Sequence, residues 1–163
     1  VTDVEAAAAA GRRWLDAVVA RATRNVADGG GPFAALVVRG DEVVADGVNR
    51  VTRDLDPTAH AEVVAIRAAC RALRSHVLAG TVLVSSCEPC PLCLAAALWA
   101  RVDAVLYAAD RHDAAEGGFD DRAFYDLFAR PRESWSVPVR QLRVSGATDP
   151  FRAWLADPDR VEY

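Results

Sequence analysis

The chain has 163 residues, 52% of them hydrophobic, and a formal net charge of −4; that is enough apolar material for one packed domain and too much for a disordered segment. All 19 basic residues are arginine, so chemistry that needs a lysine, such as a Schiff base or a P-loop, is excluded. No apolar run approaches the roughly 18 residues that cross a bilayer, and the acidic balance weighs against a grip on long nucleic acid, which draws its affinity from phosphate contacts.

In chain order, residues 3–27 read as a helix with Trp14, Leu15, Val18 and Val19 on one face. Its alanine-rich beginning lacks the basic and greasy regions of a signal peptide, so a cytoplasmic protein is expected. "DGGGPF" breaks the helix. Two strands follow, 33–38 and 43–45, around a turn at Gly40-Asp41, and then a polar loop. Asp56-Pro57 reads as a helix start, an N-cap acid before a proline at the first helical position, with the helix running to about Leu73. "TVLVSS" is a short buried strand, Pro89 starts a helix through Arg101, and "VDAVLYAA" is a further strand. After the loop 110–121 come a helix near Arg122 to Ala129, a strand "SVPVRQLRV" and a short helix "PFRAWLA".

Strands alternating with helices imply an α/β sheet covered on its faces, with the later strands parallel by the right-handed crossover rule. There is no internal repeat or linker, so residues 1–163 are read as one domain.

Three of the four cysteines, Cys87, Cys90 and Cys93, fall within seven residues. In a cytoplasmic chain that clustering favours metal or catalytic chemistry over disulfides. A helix start at Pro89 places Cys90 and Cys93 one turn apart on one face, where the positive end of the helix dipole favours thiolates. Their spacing is that of a zinc Cys-x-x-Cys. His60 also sits at a helix start, and in an open α/β sheet the helix starts gather near the carboxyl ends of the strands. His60, Cys90 and Cys93 therefore read as three ligands of one Zn2+, with a fourth position left for water or hydroxide.

Glu62 then has a role, because zinc lowers the pKa of bound water to about 7 and a neighbouring carboxylate can move its proton. On a regular helix, residues two apart point away from each other. His60 and Glu62 can serve one ion only if it lies off the helix end. An alternative is a closed structural zinc with Cys87 as fourth ligand, which leaves Glu62 without a role. Cys70, mid-helix among alanines, reads as a small buried hydrophobe.

His60-Ala61-Glu62 followed by Pro89-Cys90-Pro91-Leu92-Cys93 is the signature of the zinc nucleobase deaminases. With "GGPFAALVV", "NRVTRDLDPTAHAEVVAIRAAC", "SSCEPCPLCLAAALWAR", "YAADRHDAAEGGFDD" and the terminal "EY", the chain resembles the bacterial guanine deaminases of the cytidine deaminase-like superfamily from Gly30 to Tyr163. The resemblance implies a three-layer α/β/α fold with a five-stranded mixed sheet. It implies a small nucleobase substrate and hydrolysis of guanine to xanthine and ammonia. Glu62 would shuttle protons, and Asp121 would be the pocket acid that reads the base or assists departure of ammonia. Asn49, Phe33, Ala61 and Tyr163 would contact the substrate, Asn49 by hydrogen bonding and Phe33 by packing near the ring. Tyr163 would close the site across a homodimer with an exchanged C-terminal segment, about residues 130–163. One departure is Ala34, where such relatives often have glycine; its methyl either tightens the pocket or packs elsewhere.

Plainer readings stand beside these. Asn49 suits a turn, Asp120-Asp121 suit a helix N-cap, and a terminal Tyr163 frays by default. His112 and Glu116 sit one helical turn apart, but in a stretch read as solvated loop. Rival functions are the same hydrolysis on guanosine, a triazine or cytosine, deamination of adenosine in tRNA, and a non-catalytic zinc-stabilised binding protein.

Overall fold

Alternation along one strand sorts the sheet's two faces. The computed structural model describes residues 2–162, and side chains from Gly11 onward. In β1 (Ala34–Arg39), Ala34, Leu36 and Val38 pack with Val18 and Ala22 of α1 (Thr2–Ala27). Ala35 and Val37, on the opposite face, pack with Ala61, Ala65, Ile66 and Ala69 of α3 (Ala61–Leu73). This period of two is what a strand buried on both sides requires. Ala34 therefore packs against α1, and its methyl belongs to the core.

Strand order is β2 (Glu42–Val48), β1, β3 (Val82–Cys87), β4 (Ala104–Ala109). β1 runs antiparallel to both β2 and β3, and β3 runs parallel to β4. α4 (Pro91–Ala100) makes the crossover between the two parallel strands. The sheet is mixed and lies between helices, with α1 on one face and α3 and α4 on the other. Among the described residues no helix is long and apolar enough to cross a membrane.

Among the described residues the sheet has four strands, not five. The stretch 136–144, read above as a strand, has no ladder. Its apolar residues change parity between Val139 and Leu142, so no single face is apolar, and Pro138 removes a donor. Val137, Leu142 and Val144 are all exposed. Residues 127–163 form a compact unit separate from residues 1–126. In this smaller unit Phe128 and Trp135 stack edge to face at 5.3 Å around a 3-10 turn, Arg132–Ser134, and α7 (Asp149–Ala156) follows.

Other boundaries also differ from expectation. The polar stretch after β2 contains a single helical turn, α2 (Val51–Asp54). Residues 111–116, expected as loop, form α5 (Arg111–Glu116), because Asp110 and Asp113 build a capping box. α6 (Arg122–Phe128) starts where expected.

Gly47 shows how closely β2 meets α3. A Cβ there would lie 2.3 Å from the Ala61 carbonyl oxygen and 2.5 Å from the Ala65 nitrogen, so backbone touches backbone. Gly47→Ala must push the first turns of α3 outward. It is expected to cost about 3 kcal/mol by urea denaturation; an unchanged midpoint would show that α3 can yield.

Candidate active site

His60 and Cys90 each stand one residue outside a helix, in extended backbone (φ −65°, ψ 149° and φ −64°, ψ 168°). The sequence expectation placed both within first turns; the helices begin later. Asp56 is used in a local turn instead, its Oδ1 accepting from the Thr58 amide at 2.8 Å and the Thr58 hydroxyl at 2.7 Å. Pro91, rather than Pro89, occupies the first helical position of α4. The carbonyls of His60 and Cys90 accept the first helical bonds, from Val64 and Leu94 at 2.9 Å. Their side chains cap neither helix and turn toward each other.

The result is a nearly equilateral triangle. His60 Nδ1 lies 3.5 Å from Cys90 Sγ and 3.5 Å from Cys93 Sγ, and the two sulfurs are 3.6 Å apart. Tetrahedral zinc with bonds of about 2.3 Å to sulfur and 2.0–2.1 Å to nitrogen needs edges of roughly 3.5–3.8 Å. The donor set and its spacing therefore fit zinc. The contact between the two sulfurs is the leading cause that pulls the Cys90 thiol down to about 4 and raises that of Cys93, which burial raises further. His60 is raised, first by its contact with Cys90.

Because His60 leaves the helix axis, Glu62 in the first turn of α3 can face the same space. Only 6% of Glu62 is exposed. Its Oε1 accepts from Ser85 Oγ of β3 at 3.0 Å, and its Oε2 accepts from Cys93 Sγ at 3.4 Å. Burial pushes its carboxyl above the usual range. His60 at the N-cap and Glu62 in the first turn thus both stand at the end of α3, not along its side.

Cys87 stands apart. Its thiol donates to the Asp110 carbonyl at 3.5 Å, and burial raises it to about 11. Among the described residues, His60, Cys90 and Cys93 are the one group of His, Cys and acidic side chains spaced for a metal. Cys87 is not a fourth member, and His112 and Glu116, though now on a helix, form no second group.

Cys93 is fully buried, while His60 and Cys90 open on a cavity of about 580 Å³. Its wall includes Phe33, Asn49, Ala61, Glu62, Phe119 and Asp121. Phe119 meets Phe33 edge to face at 5.0 Å. Asn49 is fixed through its backbone: its N–H donates to the Phe33 carbonyl at 3.0 Å, and its carbonyl accepts from Asn25 Nδ2 at 3.0 Å. Its Oδ1 accepts from the Val51 amide at 3.3 Å. Gly31 gives that carboxamide room, since a Cβ there would lie 3.0 Å from it. Asp121 Oδ1 is buried with no hydrogen-bond partner among the described residues, and burial raises its carboxyl, with the Cys90 charge second. A buried orphaned acceptor on a cavity wall suits a ligand donor.

All sequence-selected residues but one thus meet here; Tyr163 lies outside the described residues. The sequence reading missed Asn25, Ser85 and Phe119. Ser85 carried a signal, a polar residue in an otherwise apolar strand, and so did the aromatic in "GGFDD". Asn25, one polar residue among several near the end of a long helix, carried none.

A mixed sheet between helices, with a His-Cys-Cys triad and a buried glutamate at two helix starts, defines a zinc-dependent hydrolase of the deaminase class. Residues 10–109 match the model of the cytidine and deoxycytidylate deaminase zinc-binding region, and the chain belongs to that family. It is a hydrolase of C–N bonds in cyclic amidines, and zinc is its metal. It is 47% identical over 134 residues to guanine deaminase of Bacillus subtilis (strain 168), covering 82% of this chain and 86% of that one. A crystal structure of guanine deaminase from Bacillus subtilis superposes with a TM-score of 0.90 at 44% identity, over 93% of this chain and 98% of that one. A structure solved in complex with 2,6-diaminopurine is 36% identical with a TM-score of 0.63, over 66% of this chain and 60% of that one.

Proposed function

We propose that this chain hydrolyses guanine to xanthine and ammonia. The observation that carries the reading is Glu62, buried between Ser85 and Cys93 on the wall of a cavity that His60 and Cys90 also line. Likeness to guanine deaminase over most of the chain supports the substrate.

His60, Cys90 and Cys93 hold zinc, which when bound supplies Lewis acidity and lowers the pKa of a water to near neutrality. Glu62 accepts the proton of the attacking water. It delivers that proton to ring N3 as oxygen adds to C2, then takes the remaining proton of the added hydroxyl and hands it to the amine, which leaves as ammonia as the C2 carbonyl forms. First-turn N–H groups of α3, which no capping side chain takes, stabilise negative charge at the reacting centre. Asn49 hydrogen-bonds the purine, Phe33 packs near its ring, the Ala61 backbone borders it, and Asp121 reads the base or assists departure of ammonia. We further propose that subunits pair, with the C-terminal segment, about 130–163, exchanged and Tyr163 reaching the partner's site; a sedimentation mass of one chain sinks that part.

The test is ammonia release from guanine, guanosine, adenine, cytosine and a triazine, with Asn49→Ala and Asp121→Asn run in parallel. Guanine is expected to have the highest kcat/KM. Both substitutions are expected to lower it by about a hundredfold, as losing a buried hydrogen bond to substrate does. Turnover of another ring with none of guanine would replace the substrate and keep the class.

A further inference from the structure

One charged group beside the site is not used by the chemistry above. Arg111, the first residue of α5, is held on two sides. Its backbone N–H and its Nε both donate to Glu88 Oε2 at 3.0 Å, and a guanidinium N–H donates to Glu88 Oε1. Its Cζ lies 3.5 Å over the ring of Tyr125 in α6. Tyr125 in turn donates its hydroxyl to the Pro89 carbonyl at 2.7 Å. Glu88 and Pro89 form the short link from β3 to Cys90, and the Glu88 N–H donates to the Ala109 carbonyl at 2.8 Å.

The connection between α5 and α6 is where this matters. Gly117 to Asp121 join the two helices and place Phe119 and Asp121 on the cavity wall. Gly118 has φ +90°, and Phe119 is tied back to the Ala114 carbonyl at 2.9 Å. Asp121 Oδ1 makes no hydrogen bond among the described residues, and α5 and α6 bury no residue fully. This wall therefore lacks a core of its own. A planar guanidinium that forks onto a carboxylate and stacks on an aromatic fixes direction as well as distance. Glu88 and Tyr125 offer it both.

We infer that Arg111 is a positioning residue: by clasping Glu88 and Tyr125 it fastens the wall that bears Phe119 and Asp121 to the loop that bears Cys90. Its job is to hold the ring-binding side of the cavity at a set distance from the metal side. It touches neither substrate nor metal. Losing it weakens substrate binding more than it slows the proton transfers of Glu62, which sits in α3 and is held by Ser85 of β3. The inference rests on the reading of the cavity as a guanine site.

The experiment compares Arg111→Met, Arg111→Lys and Tyr125→Phe with the parent, each zinc-loaded. Arg111→Met is expected to raise the KM for guanine roughly tenfold, since a misplaced binding wall costs that order of rate or more. Its kcat should stay within about threefold, with one zinc retained per chain. Arg111→Lys, which keeps the charge but loses the fork and the stack, is expected to recover part of the loss. Tyr125→Phe removes only the bond to Pro89 and should raise KM less. Hydrogen–deuterium exchange over residues 112–121 should quicken in Arg111→Met. An unchanged KM with unchanged exchange overturns the inference. So does a parallel loss of kcat, zinc and thermal midpoint that lysine does not repair, since that marks general support of the fold. If the parent does not act on guanine at all, the substrate reading falls, and the exchange data still decide the clasp.

Discussion

Glu62→Gln will leave a folded, zinc-loaded protein that releases ammonia at least about a thousandfold more slowly than the parent, near the upper range for loss of a general acid–base. Glutamine has the same size as the residue it replaces. Its carbonyl oxygen can still accept from the Ser85 hydroxyl, which now donates to Glu62 at 3.0 Å. Its amide can donate to Cys93, whose sulfur lies 3.4 Å from the present carboxylate. Burial is unchanged, so stability is expected to shift little. The amide cannot accept the proton of water or hand one to the ring and the amine. A thousandfold loss is about 4 kcal/mol of transition-state stabilisation, far more than a changed hydrogen bond alone supplies. Steady-state kinetics with metal analysis of the same sample make the test. More than a tenth of parental kcat with zinc in place would remove Glu62 from the mechanism.

Stripping zinc with a chelator will abolish turnover and also soften the fold. The three donors come from positions 30 and 33 residues apart in sequence, so an ion held by them closes a chain loop as a covalent cross-link would. Chain-entropy arguments for a loop of that length give on the order of 3 kcal/mol. Cys93 and Glu62 are both buried and lie 3.4 Å apart, so two acidic groups face each other where the ion would sit. The expected result is a lower denaturation midpoint and no ammonia release, both restored by added Zn2+. Cys90→Ala is expected to behave like the stripped protein and to resist restoration. Activity that survives complete chelation would mean that the triad is not the reaction's metal centre. A midpoint indifferent to zinc would mean that the loop is closed well enough by packing.

The central architecture was legible because its signals are local. An apolar run before the Gly40-Asp41 turn, an apolar "TVLVSS" and helices between strands left little choice for the middle of the chain. The donors were legible through their spacing and residue types. Helix starts were misplaced by a few residues at both ends of the site, since Asp56 and Pro89 carry start signals that tertiary contacts put to other uses. Asp56 closes a turn on Thr58, while the hydroxyl of Tyr125 takes the Pro89 carbonyl. Those shifts decide the chemistry: they place His60 and Cys90 outside their helices, which lets Glu62 share their space. The fifth strand failed for a reason visible in hindsight, the change of parity between Val139 and Leu142. Asn49 and Asp121 entered through family resemblance alone; their physical reason is a cavity whose walls come from distant parts of the chain.

Asn25 is buried to 3% exposure near the end of α1, and its amide donates to two carbonyls, Gly31 at 2.8 Å and Asn49 at 3.0 Å. Gly30 leaves it space, for a Cβ there would come within 2.3 Å of that amide nitrogen. The leading helix is therefore not an ornamental cover that could be trimmed away. A chain shortened to begin at Gly29 would keep every metal donor, yet strand two carbonyls on the cavity wall. The opening helix thus serves twice, as the lid of one sheet face through Val18 and Ala22 and as the anchor of the cavity rim through Asn25.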